Sequence, residues 1–175
     1  RINQWWSANA GQKKPSLVYA YSLGKAQRVL AGLDSSIGPI FLHPAAYEFL
    51  DPYRKAGIVL PSAEKVEKRK PQDYAHSIII APPAVEDSGW ARTFPGCRKS
   101  FASGWMAIRG QRRRRNLDQG FVLSDHADWD GLIRSIRATE AESVRLTHGN
   151  GDAHARYLCE KGINAEILGK PNSFG

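Results

Sequence analysis

Apolar residues in this chain alternate between short continuous runs and stretches with helical spacing. Continuous runs bounded by turn-forming residues predict buried strands, and apolar residues three or four positions apart predict helices. Strands are predicted at 16–22, 38–43, 77–83, 99–105, 120–123, 143–147 and 164–168. Helices are predicted at 3–10, 24–33, 45–57, 129–136 and 152–162, with a charged, solvated connection at 62–73 and a loop or hairpin at 109–120.

Repeated alternation of strands and helices predicts an α/β fold with mostly parallel strands. The last part of the chain, Phe121 to Leu168, has the order β-α-β-α-β. Right-handed crossovers would place the ends of successive parallel strands on one edge of a sheet. We therefore expect the residues after 120–123 and after 143–147 to face one crevice.

The composition is that of a soluble globular protein, since 42% of the 175 residues are hydrophobic. No apolar run approaches the ~20 residues of a membrane helix, and the N-terminus lacks a signal-peptide pattern, so a soluble, cytoplasmic protein is expected. Cys97 and Cys159 belong to no C-x-x-C motif and are expected to be reduced. The chain begins with Arg1 and contains only one methionine, Met106, which indicates a piece of a longer protein.

The formal charge of +8 and the pI of 9.7 favour a polyanionic partner, with nucleic acid ahead of a membrane surface. Arg109 and the run Arg112, Arg113, Arg114 and Arg115 concentrate this charge. Such a run is commonly a solvated loop. The overall basic balance favours contact with a nucleic-acid backbone instead, which would position the nucleic acid without reading its sequence.

The segment "YSLGK" precedes a predicted helix and looks like a phosphate loop. A Walker motif would need Gly at position 19 and Ser or Thr at position 26, where Tyr19 and Ala26 stand, so a nucleotide triphosphatase is excluded. Free N–H groups at the helix start, with Lys25 beside them, would still suit a phosphate. The alternative is a glycine turn that serves packing alone.

The segment "SDHAD" lies where a predicted strand gives way to a predicted helix. Asp125, His126 and Asp128 could form a site there, because open α/β sheets bind ligands outside the carboxyl ends of their strands. The alternative is a capping box, with Asp125 as the helix N-cap and Asp128 three residues later. His148 follows the strand 143–147 and is expected at the same edge as His126.

Three blocks together, "YSLGKAQRVLAGLD", "FASGWMAIRGQRRRRNLDQGFVLSDHADWDGL" and "LTHGN", resemble the β-CASP branch of metallo-β-lactamase-fold nucleases. The resemblance is greatest to bacterial ligase-associated DNA exonucleases, often described as mRNA 3′-end processing factors. It implies that His126 lies near the scissile phosphate and that His148 is a zinc ligand, with Asp125 and Asp128 in support. Nucleic-acid contacts are expected from the arginines named above and from Ser22, Gly24, Lys25 and Ser103.

The family's H-x-H-x-D-H cluster is absent from this chain. The resemblance therefore implies a β-CASP-like lobe at 1–120 and the C-terminal part of a metallo-β-lactamase lobe at 121–175. The two zinc ions of the complete protein are not expected to be held by this chain alone. The expected function is part of a zinc-dependent DNA exonuclease, with a DNA ligase system as a further partner. The alternatives are a noncatalytic nucleic-acid-binding module and an RNA 3′-end processing nuclease.

The other histidines have positions typical of structural residues. His43 precedes Pro44 at a strand end, His76 enters a strand and His154 lies within a helix. Most of the tryptophans are expected in the core or at an interface. Trp105, within "SGWM", is the candidate for stacking on a nucleic-acid base.

Overall fold

The computed structural model describes residues 1–68, 70–86, 88–108, 110, 113, 116–147 and 151–169. The chain divides into two compact units, Arg1–Asp125 and His126–Gly175. This division falls after Asp125, five residues later than the boundary that the sequence indicated. The assignment of the two units to β-CASP and metallo-β-lactamase lobes remains a prediction.

The first unit is built on a sheet of six parallel strands, as the alternation of strands and helices predicts. The strands are β1 (Ser16–Tyr19), β2 (Ile40–Leu42), β3 (Glu64–Lys65), β4 (Ile78–Ala81), β5 (Arg98–Ala102) and β6 (Gln119–Phe121). Their spatial order is β3-β2-β4-β1-β5-β6. The α/β class with a parallel sheet is confirmed.

Apolar side chains cover both faces of the central strands. All residues of β1 and β4 are buried, which explains why both strands read as continuous apolar runs. Side chains alternate between two clusters, with Val18 and Ile80 on one face and Leu17 and Ile79 on the other. The sheet is therefore the centre of the core of this unit.

Within the described ranges, these strands are accompanied by the helices α1 (Ile2–Gly11), α2 (Lys25–Ala31), α3 (Pro44–Tyr47) and α4 (Leu50–Lys55). The single helix predicted at 45–57 is wrong, because α3 and α4 are separate. Pro52 has no N–H for the carbonyl of Glu48, and its ring would collide with that carbonyl in a continuous helix. The connection at 62–73 also contains the edge strand β3 and a 3₁₀ turn, Pro71–Tyr74.

The second unit contains α5 (Trp129–Ala138), β7 (Ser143–Leu146), α6 (Asp152–Glu160) and β8 (Asn164–Ile167). Strands β7 and β8 form a parallel pair of their own. The expectation that the strand near 120 and the strand at 143–147 belong to one sheet is wrong. β6 pairs with β5 in the six-stranded sheet, because the run that ends at Phe121 packs into the core of the first unit.

No helix in the described ranges has the length and apolar character that a membrane span requires.

Candidate functional site

The carboxyl edge of the six-stranded sheet brings together most of the predicted site residues that the structure describes in the first unit. The chain leaves β1 toward β2 on one side, and leaves the neighbouring β5 toward β6 on the other. Such a reversal opens a crevice at the carboxyl ends of the two strands, where α/β proteins bind ligands. Ser22, Gly24 and Lys25 follow β1, and Ser103 follows β5.

The loop between β1 and α2 uses its backbone N–H groups internally. The N–H of Gly24 donates to Gln27 Oε1 at 2.9 Å, that of Lys25 to the Leu23 carbonyl at 3.1 Å, and that of Ala26 to the Tyr21 carbonyl at 3.0 Å. The expectation that these three groups are free for a phosphate is wrong. The packing interpretation of this glycine turn describes its backbone better.

Lys25 forms an ion pair with Asp125, one hundred residues later in the chain. The Lys25 side chain is 7% exposed and the Asp125 side chain is 31% exposed. A largely buried ammonium needs such a carboxylate, because its charge is otherwise taken out of water without compensation. The structure thus gives Lys25 a protein partner in place of open solvent. Support of His126 by Asp125 remains a prediction.

A glycine is required where Asp125 approaches the loop. Gly24 has a φ of +82°, and a Cβ built on it would lie 3.0 Å from Asp125 Oδ2. A side chain here would have to adopt a backbone conformation that L residues rarely adopt, and it would press against the carboxylate. The ion pair and the shape of the loop therefore depend on the same residue.

The segment after β6 is fixed along this edge by two further contacts. Arg28 Nη1 donates to the Ser124 carbonyl at 2.6 Å. Ser124 also lies against Gly104, where a Cβ would be 3.5 Å from that of Ser124. The loops after β1, β5 and β6 are thus joined into one surface by Ser124 and Asp125.

Ser103 has a structural role at this edge. Its side chain is buried, its Oγ accepts from the Trp105 N–H at 3.3 Å, and its own N–H donates to the Phe121 carbonyl at 3.0 Å. Ser22 is half-buried, and its carbonyl accepts from Gln27 Nε2 at 2.9 Å. Contacts of Ser22 and Ser103 with nucleic acid remain predictions.

We expect Asp125→Ala to lower the free energy of unfolding by about 2 kcal/mol, because it leaves the Lys25 ammonium buried without its carboxylate. The loss of a partner costs about 3 to 5 kcal/mol in a fully buried pair, and the partial exposure of Asp125 reduces it here. Adding Lys25→Met should recover most of the loss, as measured by urea unfolding.

The matched control is Glu160→Ala, which removes a carboxylate from an exposed pair with Arg156. It should cost less than about 0.5 kcal/mol. Equal stability of Asp125→Ala and the wild type would show that the ion pair contributes nothing.

The "SDHAD" segment begins its helix later than the capping box requires. Asp128 is the N-cap of α5, and its Oδ1 accepts from the Gly131 N–H at 2.8 Å. The expectation that Asp125 caps this helix is therefore wrong, since Asp125 reaches Lys25 instead. His126 is exposed and lies before the helix.

Several predicted residues lie outside the described part of the chain. These are Arg109, Arg112, Arg114, Arg115 and His148. Arg113, from the same run, is described and exposed.

A protein zinc site needs three or four His, Cys, Asp or Glu side chains close together. In the part of the chain that the structure describes, no group of three or more His, Cys, Asp or Glu side chains is placed to hold a metal. The described residues therefore do not form a zinc site by themselves. Cys97 and Cys159 are free thiols, and burial raises the pKa of Cys97.

The three remaining histidines contact other parts of the folded chain, His43 and His154 through their rings and His76 through its backbone carbonyl. His43 Nδ1 accepts from the Ala45 N–H at 3.1 Å and thereby caps α3, while its ring packs against Trp90. The His76 carbonyl accepts from Trp6 Nε1 at 2.8 Å. The His154 ring lies 4.1 Å from that of Trp129. These contacts agree with the structural interpretation.

We expect the free energy of unfolding to decrease as the pH falls below about 6.5, in part because of His43. Burial lowers the pKa of His43 in the folded protein, so the unfolded chain binds the proton first. Protonation also places a hydrogen on Nδ1, which then cannot accept from Ala45. His43→Asn keeps an N-cap acceptor and does not titrate, so urea unfolding between about pH 5 and 7.5 should show a smaller pH dependence. An unchanged dependence would contradict this assignment.

Comparison with known proteins adds one relative. No family model matches the chain. The chain is 32% identical over 158 residues to a protein of Opitutus terrae (strain DSM 11246 / JCM 15787 / PB90-1) named "Probable DNA ligase". The similarity covers 90% of this chain. It spans only 15% of the length of the relative.

The structure adds residues to this edge that the sequence did not single out. Arg28 and Ser124 join the loops, and Tyr21 lies under the Lys25 ammonium, with 5.1 Å between Nζ and the ring centroid. Arg28 follows Lys25 by three positions on α2, so helical spacing was a signal for it. Ser124 is the first residue of the "SDHAD" segment, but no local pattern indicated its contacts, which come from loops distant in sequence.

Proposed function

We infer that this chain binds DNA as part of a larger protein that processes DNA. The observation that carries this proposal is the uneven distribution of charge. The first unit has 19 Lys and Arg residues against 10 Asp and Glu residues, whereas the second has 6 against 7. Nearly all the excess positive charge is therefore on the unit that contains the six-stranded sheet, which suits a phosphate backbone.

Two further observations support the same proposal. The arginines at 109 and 112–115 come directly after the loop that follows β5, next to the carboxyl edge in sequence. The relative that matches most of this chain is named for an activity on DNA. DNA is for this reason the preferred nucleic acid.

DNA binding is tested by titrating this chain into a short labelled DNA strand at low salt and following fluorescence anisotropy. Saturable binding that weakens as salt is added supports the proposal, because the release of counterions from phosphates depends on salt. Absence of binding at low salt would contradict it.

The finer proposal is that the complete protein is a nuclease that hydrolyses phosphodiester bonds at DNA ends. The resemblance of the "SDHAD" and "THG" segments supports it, together with the exposure of His126. An exposed imidazole is accessible to a bound phosphodiester, and histidine is the side chain that most often acts as a general acid. Zinc remains part of this proposal for the complete protein, with His148 as the ligand that this chain would contribute.

The second candidate function is a noncatalytic DNA-binding module. It is favoured by the ion pair of Asp125, which gives one acid of the "SDHAD" segment a structural role. The two functions differ in whether the complete protein hydrolyses DNA and needs His126 to do so.

A further inference from the structure

Large apolar side chains are exposed in all three loops that follow β1, β5 and β6. We call these residues the edge cluster, and they are Tyr21 (51% exposed), Leu23 (58%), Trp105 (63%), Ile108 (50%) and Val122 (60%). Single exposed apolar residues are common on protein surfaces, but a group that recurs on adjoining loops marks an interaction site.

The loops that carry the edge cluster are neighbours in the structure. β1 and β5 pair in register, with Tyr19 opposite Phe101, so their loops begin about 5 Å apart. β6 pairs with the other side of β5, with Phe121 opposite Ala102. The contact between Ser124 and Gly104 then holds the segment after β6 against the loop after β5.

Trp105 is fixed by its backbone while its side chain remains exposed. It lies in the 3₁₀ turn Gly104–Ala107, where its N–H donates to Ser103 Oγ at 3.3 Å and its carbonyl accepts from the Ile108 N–H at 3.1 Å. Because the backbone of Trp105 is already held, only the side chain has to be ordered when its ring binds a partner. Trp105 therefore suits a stacking platform.

Exposed arginines follow residues of the edge cluster along the chain. Arg28 is exposed and contacts Ser124 at this edge, and Arg113 is exposed in the segment after Ile108. Aromatic rings beside cations are the arrangement that single-stranded nucleic acid requires, because bases stack on the rings while phosphates meet the cations. In a duplex the faces of the bases are already stacked on one another, so only an unpaired base can use such a ring.

We propose that the edge cluster binds unpaired bases of single-stranded DNA, with Trp105 as the main stacking platform. This proposal rests on the DNA-binding function inferred above and adds the form of DNA that the surface takes. The charged part of the interaction is common to single strands and duplexes. Stacking on Trp105 makes the single strand the preferred ligand.

The experiment measures the affinity of this chain for three labelled ligands of equal length: a DNA single strand, the same strand with abasic sites, and a duplex. Trp105→Ala should weaken binding of the intact single strand by roughly 5- to 100-fold. It should leave the abasic strand and the duplex nearly unchanged, because neither offers an unpaired base. Trp105→Phe keeps a ring and should retain most of the affinity.

The matched control is Val59→Ala, which removes an apolar side chain that is 89% exposed outside the edge cluster. It should bind all three ligands like the wild type. Far-ultraviolet circular dichroism and urea unfolding of each variant separate a change in binding from a change in folding.

Wild-type chain that binds the intact and abasic strands equally well would overturn the stacking proposal and leave DNA binding intact. Failure to bind any of the three ligands would instead contradict the DNA-binding function itself. If Trp105→Ala dissociates a dimer, as seen by sedimentation, and leaves DNA affinity unchanged, the edge cluster is an interface between copies of this chain and the proposal is wrong.

Discussion

His126→Ala should lower the rate of DNA hydrolysis by the complete protein by about 10² to 10⁴, the usual contribution of a positioned general acid. His126 is exposed just before α5, so its ring is accessible to a bound strand. The affinity for DNA should change little, because the excess of positive charge lies on the first unit. Turnover of a labelled DNA strand and its dissociation constant would be measured on the same variant.

The control for this variant is His154→Ala, which removes another histidine from the second unit. His154 packs on Trp129, so its loss should affect stability more than hydrolysis. Zinc content should be the same in His126→Ala and the wild type if His126 is a proton donor, and reduced if it is a metal ligand. An unchanged rate of hydrolysis in His126→Ala would favour the noncatalytic DNA-binding module.

The second large effect is expected from the arginine run. The affinity of this chain for DNA should fall by about 10²-fold for a duplex and by about 50-fold for a single strand between about 50 and 200 mM salt, as expected when about four phosphates are neutralised. Replacing Arg112, Arg113, Arg114 and Arg115 by alanine should remove much of this salt dependence and weaken binding at low salt. The slope of the logarithm of the association constant against the logarithm of salt concentration is the measurement.

A variant with the same loss of charge provides the control. It replaces Arg134, Arg137, Arg145 and Arg156, four arginines of the second unit, by alanine. Its salt slope should be close to that of the wild type if the run at 112–115 contacts phosphates directly. Equal loss of affinity in both variants would show that only the net charge of the chain matters.

The sequence predicts the structure of this protein correctly where a local pattern has one physical meaning. Continuous apolar runs such as Ile78–Ala81 are compatible with a strand buried on both faces, and alternation with helical segments then predicts parallel strands. The charge of the chain follows from composition alone, so a polyanionic partner could be inferred without a fold. The strands other than β3, and most helices, were therefore predictable within a few residues at their ends.

Partners that are distant in sequence were decided by the tertiary structure. Lys25 and Asp125 are one hundred residues apart, and each alone has an ordinary local explanation, as a phosphate ligand and as a helix cap. The cap at Asp128 and the pair at Asp125 could not be told apart from the spacing of "SDHAD", because both aspartates satisfy the same local pattern. The tertiary structure decided between them, because the buried Lys25 ammonium needs a carboxylate partner and Asp125 provides it.

The placement of the strand near 120 shows the same limit for sheet topology. Its sequence suits a buried strand and, by order along the chain, it could have joined the strands that follow it. It pairs with β5 instead, because Phe121 completes the apolar cluster of the first unit, with Trp5 edge-on to its ring at 5.7 Å. The sequence by itself thus determined the α/β class, the strands other than β3, and the basic character. The tertiary structure decided which loops share the carboxyl edge, because that depends on packing between residues far apart in the chain.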